Sequence, residues 1–259
     1  MGFIAGLHSV RGSMKLKDSQ DAFGRGIWDR YNGEDVDELI ERDDGYVDVS
    51  DGPESYLSEY EDWPAHVQRA MRHAKGRVLD IGCGGGRHSL YLQGKGMDVL
   101  GIDNSPYALR TCRARGLKET RLMTIDEIRP GLGTFDTIIM MGNNFGLFAN
   151  PKKAKRLLRR FHGMTSPDAY IIAETMDVYQ TDRDHHLEYQ ARNRARGRMS
   201  GQVRIRVRYQ RYCTPWFDYL MVSKPELETI LEGTGWKVRK YINGPNGIYV
   251  MILEKEAAP

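Results

Sequence analysis

Apolar residues along this chain fall into short runs separated by amphipathic stretches. Val78–Ile81, Val99–Asp103, Arg121–Ile125, Phe135–Met141 and Asp168–Glu174 read as strands. Their continuity is that of strands buried on both faces of a parallel sheet. Helix signals lie between them. Ser105-Pro106 is a cap followed by a first-turn proline, with Gly116 as a stop, and Asn150-Pro151 opens a basic helix that stops at Gly163. Ser223-x-x-Glu226 is a capping box for a last helix. Trp236–Tyr241 and Ile248–Leu253 form a closing antiparallel pair, turned at Asn243–Gly247. The expected fold class is α/β: a doubly wound, seven-stranded, mostly parallel sheet with helices on both faces.

Two regions depart from that alternation. Residues 1–20 carry no periodicity and read as disordered or loosely attached. Asp21–Tyr31 is expected to be an amphipathic helix and Val36–Glu41 a second short one. Tyr56, Tyr60 and Trp63 then share one helical face before Pro64 opens a further helix ending near Gly76. These aromatics either pack that helix on the sheet edge or close over a site as a lid. In the insertion 175–222, Val203, Ile205 and Val207 alternate with Arg204, Arg206 and Arg208, and a partner strand runs Trp216–Val222. That period of two predicts a β-hairpin with one arginine-bearing face. The chain therefore divides into an N-terminal helical cap, 1–63, and a main domain, 64–259, that carries the insertion.

The first strand ends in glycines at 82, 84, 85 and 86, and the helical pattern begins at His88. Such a turn lets backbone approach a ligand closely and presents a helix N-terminus to it. A dinucleotide site wants G-x-G-x-x-G, but the third position counted from Gly82 and Gly84 is Arg87. The spacing that fits is Asp80-x-Gly82-x-Gly84-x-Gly86, with Asp103 ending the next strand 17 residues later. That string resembles the first motif of the class I S-adenosylmethionine (SAM) methyltransferases. The resemblance implies SAM as cofactor, with Asp80, Gly82, Cys83, Gly84 and Gly86 at the methionine and ribose end. It further implies Asp103, Asn104 and Ser105 at the ribose, Thr124 and Ile125 near adenine, and Met141 and Asn143 by the reacting methyl.

Transfer of a methyl group from a sulfonium is an in-line displacement whose leaving group needs no proton, so alignment alone can carry it. Asn143, Glu174 and His186 are the catalytic candidates; the last two are possible bases. Tyr56, Tyr60, Trp63, Asn144, Phe145 and Arg206 are the substrate candidates. The G-N-N-F-G loop lacks the N-P-P-Y signature of methyltransferases acting on base amino groups or on protein glutamine.

Charge refines the partner. Net charge is +3, yet thirteen acids and one base lie between Glu34 and Asp62, and eight arginines without an acid between Arg192 and Arg211. The two blocks could pack on each other, or the arginines could face phosphates. The expected acceptor is a small molecule; an anionic one would be bound bidentately by arginine. An RNA or protein methyltransferase using the arginine hairpin is the alternative, and a non-catalytic SAM-binding regulator the third reading. Cys83, Cys112 and Cys213 fit neither a disulfide framework nor a metal site, no apolar run spans a membrane, and the expected compartment is the cytoplasm.

Overall fold

The computed structural model describes residues 16–50 and 52–256. The expectation of disorder for residues 1–15 lies outside them. Residues 16–20 are placed: Leu16 N–H donates to Asn104 O (3.2 Å), and Asp18–Gln20 is a 3-10 turn.

A seven-stranded sheet forms the centre. In chain order its strands are β3 (Arg77–Ile81), β4 (Asp98–Asp103), β5 (Glu119–Leu122), β6 (Phe135–Met140), β7 (Thr165–Met176), β11 (Trp236–Asn243) and β12 (Ile248–Lys255). Their spatial order is β11-β12-β7-β6-β3-β4-β5, with β3 to β7 parallel and β12 antiparallel to both its neighbours. The chain winds from β3 outward through β4 and β5, then returns to β6 on the other side of β3. That reversal opens a crevice beyond the carboxyl end of β3, where ligands of doubly wound sheets bind. Two apolar layers sandwich the sheet. Leu79, Ile81, Ile138 and Phe161 belong to one, and Val78, Val99, Ile139 and Ile172 to the other.

A second, antiparallel sheet stands beside it. Its strands are β1 (Leu39–Arg42), β2 (Val47–Val49), β8 (Gln202–Tyr209), β9 (Tyr212–Cys213) and β10 (Phe217–Leu220). The order is β10-β8-β1-β2, with β9 on β8. The helix expected over Val36–Glu41 is thus a strand. Leu39–Arg42 pairs with Arg208–Ile205, setting Glu41 opposite Arg206, while Ile40 joins an apolar cluster with Val207 and Tyr209. Cross-strand charge and apolar pairing outweigh local propensity here.

Other boundaries shift. The single helix through Tyr56–Trp63 is α2 (Gly52–Leu57) and a separate 3-10 turn, Tyr60–Asp62. Pro64 caps α3 (Ala65–Met71) from outside the helix, and the third strand of the main sheet ends at Leu122 rather than Ile125. The insertion contains a helix, α7 (Asp184–Ala195), whose mixed polar sequence gave no periodic signal. The remaining helices are α1 (Ala22–Tyr31), α4 (Arg87–Gly94), α5 (Pro106–Ala114), α6 (Pro151–His162) and α8 (Lys224–Leu231).

Candidate active site

The glycine turn after β3 is held from several sides. Gly82, Gly84 and Gly86 all take positive φ (74°, 54° and 83°). A Cβ at Gly82 would stand 2.6 Å from Asn144 Nδ2. That amide donates to Ile81 O (3.2 Å) and Gly82 O (2.9 Å), so Asn144 braces the turn. Gly86 is the N-cap of α4, and Gly84 faces Phe23 and Ile27 of α1. The α1 helix is itself anchored by buried Asp21, which accepts from Gly24 N (3.1 Å) and Tyr107 N (3.0 Å).

Asp103 ends β4 beneath this turn. One carboxylate oxygen accepts from Gly84 N (3.0 Å) and the other from Ser105 N (2.9 Å). Burial pushes its pKa up to about 6, against the pull of those N–H groups. Asp80 lies deeper, accepts from Ser89 Oγ (2.7 Å), and is raised by burial to about 7. The Cys83 thiol lies 3.8 Å from Cys112 Sγ, and that contact first, then burial, raises its pKa.

Beyond the turn opens a cleft of about 2320 Å³. Gly82, Cys83, Asp103, Asn104, Thr124 and Ile125 line one part of it, with Met141 and Asn143 nearby. Asp80, Gly84, Gly86 and Ser105 do not line it; they support the turn and the start of α5, where Ser105 Oγ accepts from Ala108 N (2.9 Å). Val203, Ile205 and Val207 of β8 line the opposite side.

The catalytic candidates separate. Asn143 (φ 62°) and Glu174 meet: one Glu174 oxygen accepts from Gly142 N (2.6 Å) and Asn143 N (3.2 Å), and the other lies 3.1 Å from His66 Nε2. With both oxygens engaged, Glu174 fixes the loop after β6. Tyr219 on β10 completes the clamp by donating to Asn143 O (2.5 Å). His186 also lines the cleft, but on α7, 3.0 Å from the Arg42 guanidinium and beside Tyr46 and His185; burial first, then His185, Arg42 and Arg183, lower its pKa. It touches neither Asn143 nor Glu174.

The substrate candidates also divide. Tyr56 and Asn144 line the cleft. Tyr60 and Trp63 do not: Trp63 is core, with Tyr60, His88 and Tyr91 around its ring. Phe145 is fully buried in the core on the other side of the sheet. Arg206 also lies outside the cleft. It makes a bidentate pair with Glu41 (2.8 and 2.9 Å), joined by Arg208 (3.3 Å), while Arg204 pairs with Asp218 (3.4 Å). The acidic and basic blocks pack on each other at Glu41, and again where Arg192 meets Asp44 (3.5 Å).

Two cleft residues escaped the sequence reading. Glu38 was hidden inside the expected short helix. It is 1% exposed, and burial raises it to about 7. Arg87, the first residue of α4, donates to Ser55 O (2.8 Å) and has no ion-pair partner among the described residues. Its position directly after the glycines was the available signal.

Residues 78–168 match the family described as a methyltransferase domain. Residues 78–168 are thus a methyltransferase domain, and the chain has the class I, Rossmann-like fold of SAM-dependent methyltransferases. A SAM-dependent methyltransferase of Bacteroides fragilis, solved with S-adenosyl-L-homocysteine (SAH), shares this fold: TM-score 0.79 at 24% identity, covering 93% of this chain and 98% of that one. A glycine/sarcosine N-methyltransferase of Halorhodospira halochloris is 26% identical over 163 residues, 61% of this chain and 58% of that enzyme. The chain thus spans under two thirds of that relative's length. Rabbit (Oryctolagus cuniculus) glycine N-methyltransferase is 34% identical over 106 residues, 35% of each chain.

The family uses SAM, and this chain's own residues fit it. Each Asp103 oxygen accepts one N–H bond and keeps acceptor capacity for a hydroxyl. Gly82 and Asn104 bring backbone to the same wall of the cleft, and Met141 adds apolar surface. Among the described residues, no helix is long and apolar enough to cross a membrane, and no group of three or more His, Cys, Asp or Glu is placed to hold a metal.

Proposed function

We propose that this protein transfers the methyl group of SAM to a small molecule with an anionic end. SAM, when bound, supplies an electrophilic methyl group; the chain supplies position, water exclusion and charge. Asp103, Asn104 and the glycine turn hold the cofactor, with Thr124 and Ile125 at the adenine end. Asn143, fixed by Glu174 and Tyr219, stands where the two ligands meet. The segment up to residue 63 and the insertion 175–222 act together as cover: α1 lies on the glycine turn, Tyr56 enters the cleft, and the second sheet roofs it.

One observation carries the small-molecule reading. The arginines of β8 are consumed by Glu41 and Asp218, and the residues β8 turns to the cleft include Val203, Ile205 and Val207. A largely apolar β8 wall whose one cleft-lining arginine, Arg204, is paired with Asp218 suits a small ligand, whereas a polyanion would draw on unpaired arginines there. Arg87, unpaired within the cleft, is the residue suited to the anionic end. A non-catalytic SAM-binding protein would need no cleft extending beyond the turn.

Labelled SAM incubated with the protein and a low-molecular-mass metabolite extract should place label in small products. Label confined to RNA or protein would refute the proposal.

A further inference from the structure

Buried polar groups in native proteins are nearly all hydrogen-bonded, so a cluster of exceptions asks for an explanation. Three cleft residues carry such exceptions. Neither carboxylate oxygen of Glu38 has a hydrogen-bond partner in ordinary geometry, and the same is true of Asn143 Oδ1 and His88 Nε2. The Glu38 and Asn143 oxygens are acceptors, and the His88 nitrogen is one in a single tautomer. What these particular atoms lack is therefore donors.

Glu38 is the most demanding of them. It immediately precedes β1, on the wall of the cleft formed by the N-terminal segment. The Ser50 and Tyr56 hydroxyls reach it as weak hydrogen-bond donors that only partly offset its burial, and neither brings a charge. No lysine or arginine pairs with it among the described residues, although Arg42, two strand positions beyond Ile40, pairs with Asp44. An unpaired carboxylate is costly in such a place, unless a ligand brings the compensating charge.

We infer that Glu38 is the specificity-determining residue of the acceptor site, and that it selects a substrate presenting an ammonium or amine nitrogen. This rests on the proposed methyltransferase function and deepens it. The nitrogen docks as an ammonium, giving N–H donors and positive charge to Glu38. It loses one proton to solvent, and its lone pair then forms the C–N bond as the S–CH3 bond breaks. The charge passes from the sulfonium to the methylated nitrogen as neutral SAH leaves. Asn143 Oδ1, on the loop after β6, is the second acceptor for the same nitrogen. Tyr56 and Tyr219 are close enough to influence each other electrostatically, so two aromatic rings border this part of the cleft. Arg87 also feels Tyr56, which puts the anion-binding guanidinium in the same neighbourhood. The acceptor then carries opposite charges at its two ends.

The experiment uses the full chain loaded with SAH, and a panel of amines of about two to six carbons, with and without a carboxylate. Each amine is matched to the alcohol and the thiol of the same skeleton. Thermal shift and calorimetry read binding, and SAM turnover reads selectivity. We expect amines to bind the SAH-loaded protein and to be methylated at least tenfold more efficiently than their oxygen and sulfur partners. Glu38→Gln should raise KM for the amine more than tenfold, the size of a lost charged hydrogen bond. Its kcat should change less, and Glu38→Asp should restore part of the affinity. SAH affinity of both variants should stay within twofold of the native protein, which also reports that they fold.

An alcohol or thiol preference, or an unchanged KM in Glu38→Gln, overturns the inference. So does a tenfold loss of SAH affinity in that variant, because Glu38 would then serve the cofactor. Failure of every amine to bind SAH-loaded protein overturns it while leaving the methyltransferase reading intact. Failure of SAH itself to bind removes that underlying reading.

Discussion

Cofactor binding should release a proton from Asp103, and this can be tested quantitatively. Its carboxylate is buried at the end of β4 with one backbone N–H bond to each oxygen, and its pKa is raised to about 6. A ribose diol donating to it favours the charged form, so the pKa must fall on binding. The sign follows: affinity is fully present above the free-protein pKa and is lost as pH falls through it. With that value, Asp103 is about 90% ionised at pH 7 and about 10% at pH 5, so SAH affinity should weaken about tenfold between them. Near pH 6, calorimetry in two buffers of different ionisation enthalpy should detect about half a proton released per SAH bound. Asp103→Asn keeps one acceptor oxygen but turns an NH2 toward Gly84 N or Ser105 N, which are donors. It should lose about 1.5–3 kcal/mol of binding free energy, roughly ten- to a hundredfold, together with the pH dependence. Flat native affinity from pH 5 to 7, or an unaltered slope in the variant, would refute the assignment of Asp103 to the ribose.

Asp80 makes a stability prediction of defined sign. Its folded pKa, about 7, lies above the model-peptide value, so its ionisation opposes folding as pH rises from about 4 to 7. Over that window the native protein should lose about 1.4 kcal/mol per pH unit relative to Asp80→Asn, measured by urea denaturation, with no further divergence above it. Trp63→Ala should cost about 3–5 kcal/mol of stability, since the ring is core; a near-neutral change with selective loss of turnover would restore the lid reading. Arg206→Glu opposes Glu41 with a like charge and should lower the melting temperature while leaving RNA retention at physiological salt unchanged. Abolition of tight RNA binding by that substitution would instead support a nucleic-acid substrate.

The parallel sheet was legible because its strands are buried on both faces and their apolar runs are continuous. The glycine spacing, with Asp103 after the next strand, likewise located the turn, since close backbone approach restricts which residues fit. What failed were assignments decided by partners distant in sequence. Glu41 and Ile40 form a strand because Arg206 and Val207 lie beside them, and no local signal encodes that. Tyr60 and Trp63 share a spacing with Tyr56, yet the break after Leu57 sends them into the core and leaves Tyr56 in the cleft. Glu38 and Arg87 stand out only once burial and missing partners are known, because isolated charged residues otherwise look like solvated surface.

The second sheet also sets an order of assembly. Leu39 pairs with Arg208, so until most of the chain has been synthesised β1 has only the three-residue β2 as a sheet partner. By then strands β3 to β7, all closer in sequence, have emerged and can pair. Closing a loop of that length costs entropy that only the β1–β8 contacts repay. The cleft roof is therefore a late event on the folding route. A nascent chain halted after Met176 would hold the strands that carry the glycine turn and lack the wall that encloses the acceptor.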